Sequence, residues 1–312
     1  MKIEWVKSIW QSPRHNAFTD LCEFKNEYFC CFREATNHIS ADGRIKILTL
    51  DEEGDKIWSD TLTVSKADLR DPKLTIAPDG RLMLISYARF ADEENRTRWT
   101  RSMVWYSVNG KSWSQPQFFG PSYWWLWRLR WYTNNAYGLA YNRVEQALDL
   151  YAGVPGRTFE LKKASVMSLQ KHGLGYPNES DIHVDNDGVM YALIRRDADS
   201  CTAQLGRSKP PYTQWQWQDL GEYYASPVMQ PLNSNTLLVS GRQWLNRQPR
   251  TVVSTLELDS GKLTRQLILP SAGDNAYPGL VIHDDHALLS YYSTHENQRC
   301  QIYLAKLKLE ND

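Results

Sequence analysis

The stretch Asp274-Asn275-Ala276-Tyr277-Pro278-Gly279-Leu280 begins the last of six similar units in a chain of 312 residues. Each unit opens on a short apolar run led by a polar or aromatic side chain, and the units recur at intervals of about 50 residues. They begin near Asp20, Asp71, Arg128, Glu179, Ser226 and Tyr277. A repeat of this length is typical of blades or arrays.

Each unit continues into a second apolar stretch that ends on another polar side chain: Arg33, Arg89, Arg143, Arg196, Arg242 and Tyr292. Turn signals such as Pro78-Asp79-Gly80 separate these runs, which are rich in β-branched and aromatic residues. The pattern predicts an all-β fold, a six-bladed β-propeller of four-stranded antiparallel blades in a single domain, residues 1–312. The N-terminal segment Ile3-Glu4-Trp5-Val6 belongs to no unit. We expect it to close the ring as the outer strand of the last blade.

Charge and composition limit the possible functions. Lysine plus arginine and aspartate plus glutamate number 36 each, so the formal net charge is zero. This balance argues against a nucleic-acid partner, which normally shows as a basic surface. The first 20 residues lack the apolar core of a secretory signal, and nothing approaches the length of a membrane span. The sequence therefore predicts a cytoplasmic protein with no membrane partner, and it leaves the oligomeric state open.

The five cysteines are odd in number and lie mostly within strand patterns. Buried free thiols in a reducing compartment are the simplest interpretation. Their spacing fits no zinc motif, and no His-rich or carboxylate cluster has ligand spacing. The sequence predicts neither a metal site nor a cofactor, although a propeller can assemble ligands from distant blades.

Two segments resemble the Asp-box, the turn motif of sialidase blades with the pattern Ser-x-Asp-x-Gly-x-x-Trp. They are Ser107-Val108-Asn109-Gly110-Lys111-Ser112-Trp113 and, more weakly, Asp51 to Trp58. An Asx residue can hydrogen-bond its own backbone, and glycine supplies the positive φ that such a turn needs. With these boxes, the chain resembles the sialidase superfamily over nearly its whole length.

The resemblance implies a set of functional residues in the family's order along the chain. Sialidases grip a substrate carboxylate with three arginines, and the matching positions here are Arg33, Arg195 or Arg196, and Arg242. Strand alternation allows only one of Arg195 and Arg196 to face the pocket. Tyr277 matches the nucleophile and Glu179 matches the base that activates it. Asp71, preceded by Arg70, matches the aspartate that contacts the substrate ring.

The blade pattern adds further candidates for saccharide contact at one mouth of the channel: Trp127, Arg128, Tyr292 and His295. The resemblance also implies an acid/base aspartate in a loop of the first blade. The loop from Glu34 to Gly43 offers His38 and Asp42, and we expect one of them to protonate the leaving oxygen. Each single residue also has a purely structural interpretation.

The residue types suit this chemistry. A guanidinium binds a planar carboxylate through two parallel hydrogen bonds and stays charged in a desolvated pocket. A neutral phenol is not repelled by a carboxylate on the reacting carbon, whereas an anionic nucleophile would be. With an ordinary pKa of about 10, that phenol needs an adjacent base.

One departure from the family concerns the substrate. The family's Phe-Arg-Ile-Pro is Phe32-Arg33-Glu34-Ala35 here, so Glu34 brings negative charge beside the first arginine. This departure points away from sialic acid itself. The resemblance as a whole predicts a sialidase-like exo-glycosidase acting on a terminal acidic sugar. A non-catalytic glycan-binding propeller is one alternative, and it expects Tyr277 and Glu179 to lie too far apart for a hydrogen bond. A propeller lyase or hydrolase using His38 on a uronic or neutral sugar is another.

Overall fold

The structure, a computed structural model, describes residues 1–309 as six antiparallel four-stranded sheets. The first strand of each sheet contacts the first strands of the two neighbouring sheets, so the sheets form a closed ring. This is the predicted six-bladed propeller, and it leaves the chain with short, covered sheet edges.

The first three blades follow the chain in order. Blade I consists of β2 (His15–Phe24), β3 (Glu27–Ala35), β4 (Arg44–Leu50) and β5 (Lys56–Leu62). Blade II consists of β6 (Ala67–Ile76), β7 (Leu82–Ala91), β8 (Thr97–Ser107) and β9 (Gln117–Phe119). Blade III consists of β10 (Trp125–Tyr132), β11 (Asn135–Asn142), β12 (Ala147–Gly153) and β13 (Glu160–Ser168).

A single helical turn, α1 (Leu169–His172), separates blades III and IV. Blade IV consists of β14 (Pro177–Val184), β15 (Met190–Arg196), β16 (Gln204–Ser208) and β17 (Gln216–Asp219). Blade V consists of β18 (Ala225–Pro231), β19 (Thr236–Leu245), β20 (Gln248–Glu257) and β21 (Leu263–Ile268). Blade VI consists of β22 (Asn275–His283), β23 (His286–Ser293), β24 (Gln301–Lys308) and, outermost, β1 (Lys2–Trp10).

The ring is closed by the N-terminal strand, as predicted. β1 pairs antiparallel with β24, with Ile3 opposite Leu307 and Val6 opposite Ala305. Because the first and last segments of the described chain share one sheet, the four strands of blade VI are complete only when both segments are in place. The closing strand therefore ties folding of the ring to its two ends.

Every innermost strand carries a β-bulge at the same level. In blade VI, for example, Ala276 pairs with Tyr292 and Gly279 with Ser290, so that Tyr277 and Pro278 are left in the bulge. The bulges in the six blades fall at residues 18–19, 71–72, 127–128, 178–179, 226–227 and 277–278. A bulge bends the strand and redirects its side chains, so this ring of bulges determines what faces the mouth.

The bulges also correct the start of the first repeat. The sequence places that start at Asp20, whereas the bulge of blade I falls at Phe18 and Thr19. Asp20 lies deeper in the channel, fully buried, where its carboxylate accepts hydrogen bonds from Arg128 and from the backbone N–H of Leu74.

Buried apolar side chains fill the wedges between neighbouring blades. Between blades I and II, for instance, Phe29 and Ile47 pack with Leu69, Leu84 and Trp105. The turn after β8 closes through Asn109, whose Oδ1 accepts from the backbone N–H groups of Lys111 and Ser112. Gly110 completes that turn with a φ of 71°.

All five cysteines are free thiols. Among residues 1–309, no helix is both long and apolar enough to cross a membrane.

Candidate active site

A tyrosine and a glutamate from different blades meet at one mouth of the channel. The phenol oxygen of Tyr277 in β22 lies 2.5 Å from Oε1 of Glu179 in β14, with the phenol donating. Each residue belongs to the bulge of its innermost strand, which turns its side chain toward the mouth. Tyr277 adopts a strained φ of 50°. Such strain in a non-glycine residue is typical of functional positions.

Glu179 is held in a fixed orientation by three donors. Its Oε1 also receives Nη1 of Arg195 at 2.8 Å, and its Oε2 accepts the backbone N–H of Ser226 at 2.7 Å. Burial raises the pKa of Glu179, but Arg195 and the hydrogen bond from Tyr277 outweigh it, so the net pKa lies below its ordinary value. The carboxylate is therefore ionised near neutral pH and ready to accept the proton of Tyr277.

The phenol of Tyr277 is neutral in this environment. Burial, reinforced by the negative charge of Glu179, raises its pKa well above the ordinary value. Its ring packs against Phe18 at 4.8 Å and Trp127 at 5.4 Å between centroids. The guanidinium of Arg242 lies 5.4 Å above the same ring. These contacts hold the ring, and with it the phenol oxygen, in a fixed position.

Of the two adjacent arginines in β15, only Arg195 faces this site. Its Nη1 binds Glu179, while its Nε and Nη2 bind Asp197 at 3.1 and 3.0 Å. Arg196 points to the other face, where its Nε donates to the carbonyl of Gly175 and its Nη2 pairs with Asp199. Only Arg195 can reach a ligand beside Tyr277.

Arg242 is anchored on one side and open on the other. Its Nε donates to the carbonyl of Asn275 at 3.0 Å, and its Nη2 lies 3.3 Å from both Asp274 Oδ1 and Tyr292 Oη. Within residues 1–309, its Nη1 makes no hydrogen bond. The side chain is 15% exposed. Arg242 therefore retains a donor for a ligand, and Tyr292 orients it.

Arg33 does not join Arg195 and Arg242, contrary to the predicted three-arginine clamp. Its side chain is completely buried and its Nε donates to Asp68 Oδ1 at 2.8 Å. Its Nη1 and Nη2 donate to the carbonyls of Asn37 and Ser40 at 3.0 and 2.8 Å. With all three nitrogens engaged and no exposure, Arg33 supports the loop and contacts no ligand.

The same carboxylate gathers two more arginines. Asp68 Oδ2 accepts from Arg70 and Arg89, each at 3.1 Å. Arg70 also donates to the carbonyl of His38, and Arg89 to that of Ile39, both at 3.1 Å. The predicted contact of Arg70 with saccharide therefore competes with its role in fixing the loop. Glu34, in turn, pairs with Arg44 at 2.6 Å, so its charge is neutralised.

Asp42 and His38 lie in that loop, and neither is arranged like a buried acid. Asp42 accepts from the backbone N–H of Thr36 at 3.0 Å and from its hydroxyl at 2.7 Å, and it pairs with Arg14. Burial is the largest single influence and raises the pKa of Asp42, but hydrogen bonds from Ser40 and Thr36 and the charge of Arg14 together hold that pKa well below the ordinary value. His38 is half-exposed and its Nδ1 lies 2.9 Å from Asp274 Oδ2.

Asp71 has the environment that an acid requires. It occupies the bulge of β6, the position in blade II that Tyr277 occupies in blade VI. Within residues 1–309 its buried Oδ1 has no hydrogen-bond partner. Burial and the charge of Glu179 outweigh Arg70 and Lys73, and the pKa of Asp71 rises to about 6. Glu179 and Asp71 are thus two carboxylates whose pKa values are driven apart.

Aromatic side chains from blades II and III form a wall near Asp71. Trp125 stacks between Tyr87 and Tyr141, at centroid distances of 4.1 and 5.7 Å. Trp127, predicted to stack on sugar, is buried behind Tyr277 and beneath Lys73. Tyr87 and Tyr141 were missed, since their sequence pattern is that of ordinary buried strand residues.

Two further predicted contact residues lie away from the mouth. Arg128 is 5% exposed and pairs with Asp20 at 2.9 Å deep in the channel. His295 packs against Tyr303 with a centroid distance of 4.6 Å and an angle of 42° between the rings, and its Nδ1 lies 3.0 Å from Ser293 Oγ. Asp274, by contrast, was not assigned a role, although it lies in the stretch that opens the last repeat and contacts Arg242 and Tyr292.

Comparison with known proteins supports the fold. No family model matches the chain, and no curated protein does. A protein of unknown function from Dyadobacter fermentans superposes with a TM-score of 0.82 at 16% identity, covering 99% of both chains. The NanB sialidase of Streptococcus pneumoniae gives 0.69 at 11% identity, over 97% of this chain and 70% of that one. A GH93 α-L-arabinofuranosidase of Fusarium graminearum gives 0.71 at 12% identity, over 96% of both.

These similarities show a shared architecture. The chain has the six-bladed propeller fold of sialidase-like glycosidases. At such low identities, function depends on the site itself.

Proposed function

We propose that this protein is a retaining glycoside hydrolase that uses Tyr277 as nucleophile, Glu179 as its base and Asp71 as general acid. The observation that carries the proposal is the hydrogen bond of 2.5 Å between the Tyr277 phenol and Glu179. That bond gives a neutral nucleophile an ionised base in direct contact, the arrangement that activates a phenol at neutral pH.

The first step moves the two protons that the site holds, one to Glu179 and one to the leaving group. Tyr277 Oη attacks the anomeric carbon while its proton passes to Glu179, and Asp71 protonates the departing glycosidic oxygen. The glycosyl–tyrosine bond forms as the glycosidic bond breaks. Water then attacks the same carbon, Asp71 takes the water proton, and Glu179 returns its proton to Tyr277. The enzyme regains its starting state, and the anomeric configuration is retained.

Glu179 itself is poorly arranged to attack. Both of its oxygens are occupied, Oε1 by Tyr277 and Arg195 and Oε2 by the backbone of Ser226. A nucleophilic carboxylate would have to give up one of these contacts in a buried site, where unpaired charge is costly. The geometry favours Glu179 as the base and Tyr277 as the attacking group.

The substrate class follows from the charges around Tyr277. Arg242 keeps Nη1 without a hydrogen bond within residues 1–309. Arg195 contacts Glu179 and Asp197, but unlike Arg33 it is partly exposed, at 17%, so the second hydrogens of its terminal nitrogens can reach a ligand. Guanidinium donors suit a carboxylate. We propose a terminal acidic sugar, whose carboxylate these two arginines bind without Arg33.

The alternatives make different predictions. A non-catalytic glycan-binding propeller expects Tyr277 and Glu179 to be separated, and the 2.5 Å contact speaks against it. A lyase acting on a uronic sugar would release an unsaturated product that absorbs in the ultraviolet. Cytoplasmic location remains a prediction from the sequence.

A panel of chromogenic α-sialosides, uronides, arabinosides and neutral glycosides tests the activity and the sugar together. We expect hydrolysis of an acidic glycoside with retained configuration. A 2-deoxy-2-fluoro or 3-fluoro acidic donor with a good leaving group slows breakdown of the intermediate and should label Tyr277, which peptide mass spectrometry locates. Cleavage accompanied by labelling of Glu179 instead would reject the tyrosine nucleophile, and no cleavage across the panel would reject the hydrolase.

A further inference from the structure

Two histidines and an aspartate from blades I and VI converge at the rim of this mouth. His15 begins β2, His38 lies in the loop after β3, and Asp274 precedes β22. Each offers one ligand atom, and these atoms all lie within 4.8 Å of one another. Among residues 1–309 this is the one such group of histidine, cysteine, aspartate or glutamate. We propose that it binds a divalent transition metal ion, zinc in the first instance.

The contact of Asp274 with His38 has the length of an ordinary hydrogen bond, whereas its contact with His15 is close to the spacing of two metal ligands. Asp274 Oδ2 lies 2.9 Å from His38 Nδ1 and 3.4 Å from His15 Nε2. Ligand atoms bound to zinc at about 2.0–2.1 Å in a tetrahedron lie about 3.3 Å apart. The distance of 3.4 Å is long for an N–H···O hydrogen bond but close to that ligand spacing. Small shifts of the half-exposed His38 would complete the geometry.

Hydrogen bonds elsewhere do not explain the position of His15. Its second ring nitrogen, Nδ1, is buried and has no partner within residues 1–309. Its side chain is only 13% exposed, and the ring packs against His38 with a centroid distance of 5.2 Å. The ring therefore makes its polar contact through the nitrogen that faces Asp274.

The aspartate is oriented by a second layer of contacts. Tyr292 donates to Asp274 Oδ1 at 2.6 Å, and Arg242 lies 3.3 Å from the same oxygen. These partners leave Oδ2 directed at the two imidazoles. Outer contacts of this type fix the orientation of metal-binding carboxylates. Arg70 does the equivalent for His38, because it holds the backbone carbonyl of that residue.

The donor set selects the class of metal. Two imidazoles and one carboxylate suit zinc and similar transition ions, and three protein ligands leave a coordination position for water or a ligand. His38 is half-exposed at the mouth and packs on Phe18, which contacts Tyr277. A bound ion would thus lie at the entrance to the proposed sugar site, although the proposal is independent of any hydrolase activity.

Calorimetric titration of the full-length protein, stripped with chelator and then titrated with zinc sulfate alone, tests the site. We expect one zinc ion per chain and at least 100-fold weaker binding in His38→Ala and in His15→Ala. The matched control replaces His283 and His286, whose rings lie 5.5 Å apart at the β22–β23 turn and which, within the described residues 1–309, belong to no three-ligand group. Zinc affinity in His283→Ala/His286→Ala should be unchanged.

Cobalt provides a second measurement that does not depend on activity. When Co²⁺ is added to the chelator-stripped protein, the visible absorption of low-coordinate Co²⁺ should appear, and it should disappear when zinc is added. His38→Ala should show no such absorption. His38 lies on an exposed loop, so its alanine variant should melt within a few degrees of the parent. Absence of saturable zinc binding, or equal affinity in His38→Ala and the parent, would overturn the proposal, and so would loss of binding in the control variant alone.

Discussion

Arg33 and Arg242 occupy equivalent positions in blades I and V, each paired with the residue before a bulge, yet they are used differently. The Arg33 side chain is fully buried and every nitrogen is engaged by Asp68 or by loop carbonyls. The Arg242 side chain is 15% exposed and retains a donor beside Tyr277. The position in the repeat determines where the arginine side chain leaves its strand. Nearby acceptors determine whether its N–H groups remain available to a ligand.

The same contrast extends to the groups around them. Asp68 has three arginine partners and supports the loop from Asn37 to Ser40. Near Tyr277, Oδ1 of Asp71 and Nη1 of Arg242 have no hydrogen-bond partner within residues 1–309. We interpret the first group as scaffold and the second as reactive site, and five variants, with Tyr291→Phe as a control, test that division.

The largest effect is expected from Tyr277→Phe, which deletes only the oxygen bonded to Glu179. Turnover of any glycoside that the wild type cleaves should fall about 1,000-fold or more, equivalent to about 4 kcal/mol of transition-state stabilisation. Ring packing against Phe18 and Trp127 is preserved, so the melting temperature should change little. Steady-state kinetics and thermal melts measure the two quantities.

The control for that variant is Tyr291→Phe. Tyr291 is also a buried tyrosine of blade VI, but its hydroxyl donates to the carbonyl of Pro270 at 2.9 Å. It should retain wild-type turnover. Full activity in Tyr277→Phe would assign Tyr277 to the scaffold and remove the division on which the mechanism depends.

The second test exchanges arginine for lysine on each side of the division. One ammonium cannot replace the three separately directed contacts of Arg33, so Arg33→Lys should lower the free energy of unfolding by about 3 kcal/mol. Arg195→Lys can keep its charge beside Glu179 but loses the planar guanidinium, whose separate nitrogens bind Glu179 and Asp197. It should lower kcat/KM about 100-fold with a smaller change in stability.

Thermal melts and kcat/KM are measured on both lysine variants. If the division is correct, Arg33→Lys loses mainly stability and Arg195→Lys loses mainly activity. Parallel losses of stability and activity in the two variants would contradict it.

The sequence could predict the ring because strand-forming runs and turns repeat locally, and the closing role of Ile3 to Val6 follows from counting strands. It could also pair Tyr277 with Glu179, since both fall at the start of a repeat. It could not predict that Asp68 would engage Arg33, because Asp68 lies before the start of the second repeat, outside the positions that the repeat aligns. The same holds for His15, His38 and Asp274, which belong to three separate elements and meet only in the closed ring.

The third test concerns Asp71, with effects on both rate and stability. As the acid it must be protonated, so kcat/KM should decline as pH rises through about 6, the raised pKa of Asp71. The rising limb requires ionised Glu179 and should lie below the ordinary glutamate pKa, because the pKa of Glu179 is lowered. Asp71→Asn should abolish the limb near pH 6 together with most of the activity.

The stability of Asp71→Asn near neutral pH should rise, although its activity falls. A carboxyl whose folded pKa exceeds its unfolded pKa favours the folded state below the unfolded value, near 3.9, and loses that contribution as pH rises through about 6. At pH 7.5, Asp71→Asn should therefore be more stable than the wild type by about 2 kcal/mol, with little difference at pH 4. Asparagine tolerates the φ of 47° at this position. A destabilised variant at pH 7.5 would place Asp71 with the scaffold.

The smallest effect is expected at Asp42, which the sequence offered as an alternative acid and the structure groups with the scaffold. Its pKa is lowered, although burial raises it, because Ser40 and Thr36 donate hydrogen bonds to it and Arg14 lies beside it. A lowered carboxyl pKa contributes stability above the unfolded value and loses it as pH falls through the folded one. Since the group is largely exposed, solvent screening limits the contribution to about 1 kcal/mol. Asp42→Asn should thus melt at a slightly lower temperature at pH 7, and that deficit should shrink below pH 4.

The limb of kcat/KM near pH 6 should persist unchanged in Asp42→Asn, because Asp42 holds no proton at that pH. Loss of that limb in Asp42→Asn, with its retention in Asp71→Asn, would return the acid to the loop and exchange the two regions.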